Sequence, residues 1–167
     1  LVYGEDISLD ATSKANAETT YHGEFALVGT PTATALAGTV QMTFTPTEGD
    51  AYWTTDGNVL SVDGVTAVAS VTGSAAYTAS PKTIDLSGFT PSAATYDGTP
   101  KAPALPTTTL VGSDAWVIEV NGEATQTNAG IYGYEIKVSQ HADCYSLSNN
   151  TGNWTINKVT IPQSNIS

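Results

Sequence analysis

The chain has 167 residues, with Lys+Arg 5 against Asp+Glu 16, a formal net charge of -11 and no arginine. Such a surface repels a phosphate backbone and lacks the side chain that reads guanine bidentately, so nucleic acid is excluded as a partner; an anionic membrane surface is disfavoured for the same reason. Hydrophobic residues make up 40%, too many for a disordered chain, and the excess of Thr, Ser, Val and Tyr over Leu, Glu, Lys and Arg favours strands over helices.

The chain opens on Leu1-Val2-Tyr3, mid-strand by its pattern, and is expected to be a piece of something longer. Ser8 to Glu18 is the best helix candidate, one or two turns carried by Leu9, Ala11, Ala15 and Ala17 and diluted by Thr, Ser and Asn. Val40, Met42 and Phe44 then alternate with polar residues, the period-two pattern of a half-buried strand. Val65 to Val71 is expected to be the last strand of the first half. Thr72 to Pro81 is small and polar and is expected to hold the boundary, and a strand around Thr83 to Phe89 opens the second half. Trp116, Ile118 and Val120 alternate, as do Tyr132, Tyr134, Ile136 and Val138, and then Trp154 and Ile156. Asn121-Gly122 is the clearest hairpin turn. Lys158-Val159-Thr160-Ile161-Pro162 reads as the start of a connection to a third unit.

The two halves repeat one another. Tyr3-Gly4 answers to Tyr96-Asp97-Gly98, Ala37-Gly38 to Ala129-Gly130, Tyr52 to Tyr145, and Gly57 to Val62 answers to Gly152 to Ile156. The anchors lie 93, 92, 93 and 95 positions apart (3 to 96, 37 to 129, 52 to 145, 57 to 152). That spacing is longer than solenoid repeats, so the prediction is two whole domains in series, 1–76 and 77–167. The fold class is all-β: two tandem small antiparallel β domains, each an Ig-like sandwich or β-grasp-like. The lone Cys144 allows no intrachain disulfide, which fits a bacterial surface protein better than a small secreted eukaryotic domain. No apolar run is long enough for a transmembrane helix, and no signal peptide is present, so no membrane insertion is expected within this chain.

The first half, at Tyr3-Gly4, Gly23-Glu24-Phe25, Ala37 to Thr47 and Asp50-Ala51-Tyr52, resembles the YG-type repeat of large bacterial surface proteins. The second half resembles the YDG-type relative at Tyr96 to Lys101, Leu110-Val111-Gly112-Ser113-Asp114, Asn128-Ala129-Gly130, Tyr145 and Gly152 to Lys158. These are grouped as MBG or YDG domains. The resemblance implies a small all-β domain, Ig-like or β-grasp-like, on a bacterial cell surface, without catalytic residues. No cofactor or metal is expected.

The acid clusters Glu5-Asp6, Glu48 with Asp50, and Asp56 with Asp63 sit where turns are expected, so they read as turn carboxylates rather than a glycosidase pair. Glu48, Asp50, Asp56 and Asn58 are the best calcium candidate, without a recognisable binding loop. His141 and Cys144 are close enough in sequence to meet, but the position reads as a chance thiol. Lys82 with Asn153 or Asn157 is the candidate for an isopeptide bond. Trp116 and Trp154 fall on the inward strand phase; Trp53 falls outward if Tyr52 points in, and with Asp50 and Asp56 forms the candidate ligand-binding site. The leading expectation is a monomeric, non-catalytic stalk or spacer. The alternative is a module binding a glycan or a host or extracellular protein through Trp53.

Overall fold

A computed structural model of the chain describes residues 1–54, 61–62, 65–66 and 70–165. The chain is mostly β-strand with few helices and divides into two compact units, Leu1–Ser80 and Pro81–Ser167. Among the described residues no helix is long and apolar enough to cross a membrane.

Unit 1 contains helix α1 (Ala11–Tyr21), strands β1 (Gly23–Leu27) and β2 (Ala37–Pro46), the single turn α2 (Ala51–Thr54), the short pair β3 (Ser61–Val62) and β4 (Val65–Thr66), and β5 (Val71–Thr78). Its sheet has the order β1-β2-β5, antiparallel throughout. The helix is longer than the pattern predicts, and its ends explain why. Asp10 caps it by accepting the Ser13 N–H at 2.8 Å, and His22 ends it in the left-handed region at φ 52. No residue of α1 is buried, so it carries no apolar stripe for periodicity to detect. Lys14 pairs with Glu18, whose Oε1 also accepts the Phe25 N–H at 3.0 Å and ties the helix to β1. The segment expected to be a polar connection, Thr72 to Pro81, is instead β5 as far as Thr78, paired with β2 from Ala37↔Thr78 to Phe44↔Val71.

Unit 2 contains β6 (Lys82–Asp85), β7 (Ala94–Thr95), β8 (Trp116–Val120), β9 (Gly130–Val138), β10 (Tyr145–Ser148) and β11 (Thr151–Asn157). A four-stranded sheet has the order β7-β11-β9-β8, and β6 pairs with β10 separately. The expectation of purely antiparallel sheets is corrected: β6 runs parallel to β10, and β7 parallel to β11. Period-two alternation reports which face is buried and carries no sign of strand direction. The core is the inward phase the sequence displays, with Trp116, Ile118, Val120, Tyr134, Ile136, Val138, Trp154 and Ile156 all buried. At Asn121-Gly122 the hairpin turn forms, with Asn121 at φ 47 and Gly122 at φ 80. Each Trp also ties an irregular segment to its sheet: the Trp116 indole N–H donates to the Thr108 carbonyl at 2.8 Å, and that of Trp154 to the Ser92 carbonyl at 2.9 Å.

The repeat is visible in the strand registers. In unit 1 the pairs run Gly23↔Pro46, Phe25↔Phe44 and Leu27↔Met42; in unit 2 they run Trp116↔Val138, Ile118↔Ile136 and Val120↔Tyr134. Every β8 residue sits 93 positions after its β1 counterpart (23 to 116), and every β9 residue 92 after its β2 counterpart (46 to 138). Tyr3 and Tyr96 also match. Their N–H groups donate to the Ser80 and Asn157 carbonyls, each at 2.9 Å, and the glycines Gly4 and Gly98 that follow have φ 87 and φ 80. A side chain would strain the backbone at either glycine, one position after Tyr3 and two after Tyr96.

Of the fourth sequence anchor, Gly57 to Leu60 lie outside the described residues. Gly152 lies opposite Tyr134, and the residue of β5 opposite Met42 is Gly73. The connection after β2, residues 47–70, is longer than residues 139–150 after β9, so the constant spacing ends there. Gly152 is a packing requirement: a Cβ there would lie 2.5 Å from the Tyr134 phenol oxygen and 2.6 Å from its ring. Tyr134 is only 7% exposed and has little room to move. Gly152→Ala is therefore expected to destabilise unit 2 by about 1–3 kcal/mol, the usual cost of overpacking; urea unfolding measures it, and an unchanged midpoint would contradict the close approach.

Candidate functional site

Around Trp53 the structure assembles a run of rings. Residues 51–54 form one helical turn, so the in-out alternation of a strand does not apply, and Tyr52 and Trp53 are both half-buried. Trp53 stands 5.6 Å from Phe44 and 5.3 Å from Tyr52 between ring centres, and Phe44 stands 4.8 Å from Phe25. Its indole N–H donates to the His22 carbonyl at 2.7 Å, which also accepts the Thr47 N–H at 2.9 Å. The expected outward-facing Trp53 is thus corrected: it pins the end of α1 to the turn after β2. The His22 ring stacks flat on Tyr52, with centres 4.2 Å apart.

Asp50 starts that turn. One carboxylate oxygen accepts the Tyr52 N–H at 2.8 Å and the other meets His22 Nδ1 at 3.1 Å. These hydrogen bonds, the backbone one first, hold its carboxyl below the ordinary value of 3.8. The sign follows: the stabilisation is present above that value and is lost as the pH falls below it. Asp56, the third residue of the predicted site, lies outside the described residues, as do Asn58 and Asp63. Among the described residues no group of three or more His, Cys, Asp or Glu side chains is arranged to hold a metal ion.

Trp53→Ala removes the ring packing and the bond to the His22 carbonyl. For a half-buried ring the expected loss is about 2 kcal/mol, below the 3–5 of a fully buried Trp. Chemical denaturation followed by circular dichroism measures it; a loss near zero would mean that the rings do not anchor α1.

A second cluster lies in unit 2. The Asp114 side chain is 2% exposed and holds two partners: the Tyr145 hydroxyl donates to one oxygen at 2.7 Å, and His141 Nδ1 lies 2.8 Å from the other. The Tyr145 oxygen in turn accepts the Val111 N–H at 2.9 Å. Burial, and then the bond to Asp114, push the Tyr145 hydroxyl up to about 12. His141, left-handed at φ 50, opens the 3-10 turn Ala142–Cys144, and its carbonyl accepts the Cys144 N–H at 2.8 Å. Cys144 is buried at 3% exposure, while the His141 ring reaches Asp114. Sequence reasoning missed Asp114; its only sign was its place in the Leu110 to Asp114 stretch, which carried no role.

Other acids also act on geometry. Asp97 accepts the Thr99 N–H at 2.9 Å and Lys101 Nζ at 2.5 Å, so the Tyr96 to Lys101 motif is a turn held by its own side chains. The Lys101 bond and then the Thr99 bonds keep the Asp97 carboxyl well below the usual carboxylate range. Asp85 joins the ends of β6 and β10 through Asn149 Nδ2 at 2.8 Å. Lys82 lies in the β6–β10 pair, whereas Asn153 and Asn157 are exposed on β11, unlike the buried trio an isopeptide bond requires.

Compared with known proteins, the chain matches no family model, and no curated protein or solved structure is significantly similar to it.

Proposed function

We infer that this chain is a non-catalytic stalk or spacer segment of a large bacterial cell-surface protein, built from MBG/YDG-type, Ig-like units and working outside the cell as a monomer without a cofactor. The observation that carries this reading is the shared register of β1-β2 and β8-β9. The repeated positions set backbone geometry: Tyr3 and Tyr96 hold the same strand-end hydrogen bond, and each is followed within two residues by a glycine at positive φ. Residues repeated for geometry serve folding and the presentation of chain ends; units in series give length with limited bend.

The second reading is a glycan- or host-protein-binding module in unit 1. It draws on the aromatic run, whose outer member Tyr21 is 51% exposed and packs edge-on against Phe25. A glycan and mucin binding screen of the chain beside Trp53→Ala separates the two. The spacer reading expects no binding by either protein. Binding that disappears in a variant still folded by circular dichroism would replace it with the module.

A further inference from the structure

The segment that leaves unit 2 matches the segment that leaves unit 1. Hydrogen bonds set the correspondence, because Tyr3 and Tyr96 donate to the Ser80 and Asn157 carbonyls. Counting on from those carbonyls, Thr83 and Thr160 stand third, and Ile84 and Ile161 stand fourth. After Ser80 the chain becomes β6, where Ile84 lies opposite Leu147 of β10 and is 6% exposed. After Asn157, residues Lys158 to Ile161 join no strand pairing among the described residues. Val159 is 54% exposed and Ile161 64%. These two residues occupy alternate positions, so in an extended strand they share one face, as Lys82 and Ile84 do in β6. They line an open groove of about 450 Å³ with Tyr96, itself 40% exposed. An extended segment bearing two exposed β-branched residues is an aggregation liability unless another strand covers it.

We propose that Lys158–Ile161 is the first strand of a further unit of this same fold, paired in parallel with that unit's counterpart of β10 as β6 is paired with β10. Ile161 then fills the core position that Ile84 fills in unit 2. Each unit in the series is closed by the strand that leaves the unit before it. This rests on the spacer reading and adds its joint: the partner of the exposed segment is a unit of the same kind, recognised by main-chain hydrogen bonds and one buried Ile.

The test is a fusion in which a second copy of residues 85–157 follows directly after Ile161 of the chain. The added unit then has only Lys158–Ile161 as its first strand. It is expected to fold, giving a third set of dispersed amide resonances and burying its own copy of Trp154. Ile161→Asp in the fusion is expected to unfold the added unit alone. A control in which residues 81–84 replace residues 158–161 gives the added unit the native β6 and is expected to fold. If the control folds and the fusion does not, the assignment of Lys158–Ile161 is overturned. Equal folding with Ile161→Asp overturns it too. Failure of the control overturns the idea that an exit segment completes the next unit. The spacer reading would survive any of these results, since it answers to the binding screen.

Discussion

Trp154→Ala is expected to destabilise unit 2 by about 3–5 kcal/mol, the cost of emptying a buried Trp site. Trp154 is 2% exposed and the largest of the fully buried side chains. The loss has two sources. The ring leaves a cavity beside Tyr132, its register partner on β9, and the Ser92 carbonyl loses its indole donor. Small domains are stable by only about 5–15 kcal/mol, so the change removes a large part of the total. In a urea titration unit 2 should unfold at a much lower midpoint, while the amide resonances of β1, β2 and β5 keep their native dispersion. A midpoint shift worth less than about 1 kcal/mol would mean that the site collapses around the missing ring, against the close packing expected of such cores.

The Asp114 and Tyr145 pair carries the second large effect. The Tyr145 hydroxyl titrates near 12 in the folded chain against an ordinary 10.0, so the folded state holds this proton more tightly. Its contribution to stability is therefore fully present below pH 10 and is lost as the pH rises towards 12. Asp114→Ala removes the acceptor of the Tyr145 hydroxyl and the partner of His141, and is expected to cost about 2–3 kcal/mol, as for a buried hydrogen bond to a charged group. Phenolate absorbance should show Tyr145 titrating at a lower pH in the variant, because the neighbouring carboxylate no longer opposes a second negative charge. An unchanged titration would assign the whole upward shift to burial.

Several elements were legible because one short-range rule decides them. The inward phases of Trp116–Val120, Gly130–Val138 and Thr151–Asn157 follow from period-two alternation, which survives folding wherever one sheet face is buried. The Asn121-Gly122 turn follows from the positive φ its two residues tolerate. Helix α1 is only partly legible because its stability comes from the Asp10 cap, the Lys14–Glu18 pair and the link from Glu18 to Phe25, none of which leaves an apolar stripe. β5 reads as a connection in the sequence because Thr72, Gly73 and Ser74 are small and polar; pairing with β2, rather than propensity, makes them a strand.

The candidate site was less legible. Asp50 and Trp53 do fall together, but as the start of a helical turn and the pin of α1. A residue's outward direction depends on whether its segment is strand or helix, and the Asp50 to Trp53 stretch is too short for periodicity to tell. The Asp114–Tyr145–His141 cluster joins residues 27 and 31 positions apart, which no local pattern links.

By itself, then, the sequence determined the strand-rich character, the buried phase of the unit 2 strands, the acidic surface and the near-constant spacing of the repeat, since each depends on composition or on neighbours within a few positions. Only the tertiary structure decided that β7 runs parallel to β11, that Gly73 lies opposite Met42 as Gly152 lies opposite Tyr134, and that the Asp114 side chain is buried against Tyr145. Those facts are set by pairings between distant strands, where main-chain hydrogen bonds and core volume choose among registers that the local pattern leaves equivalent.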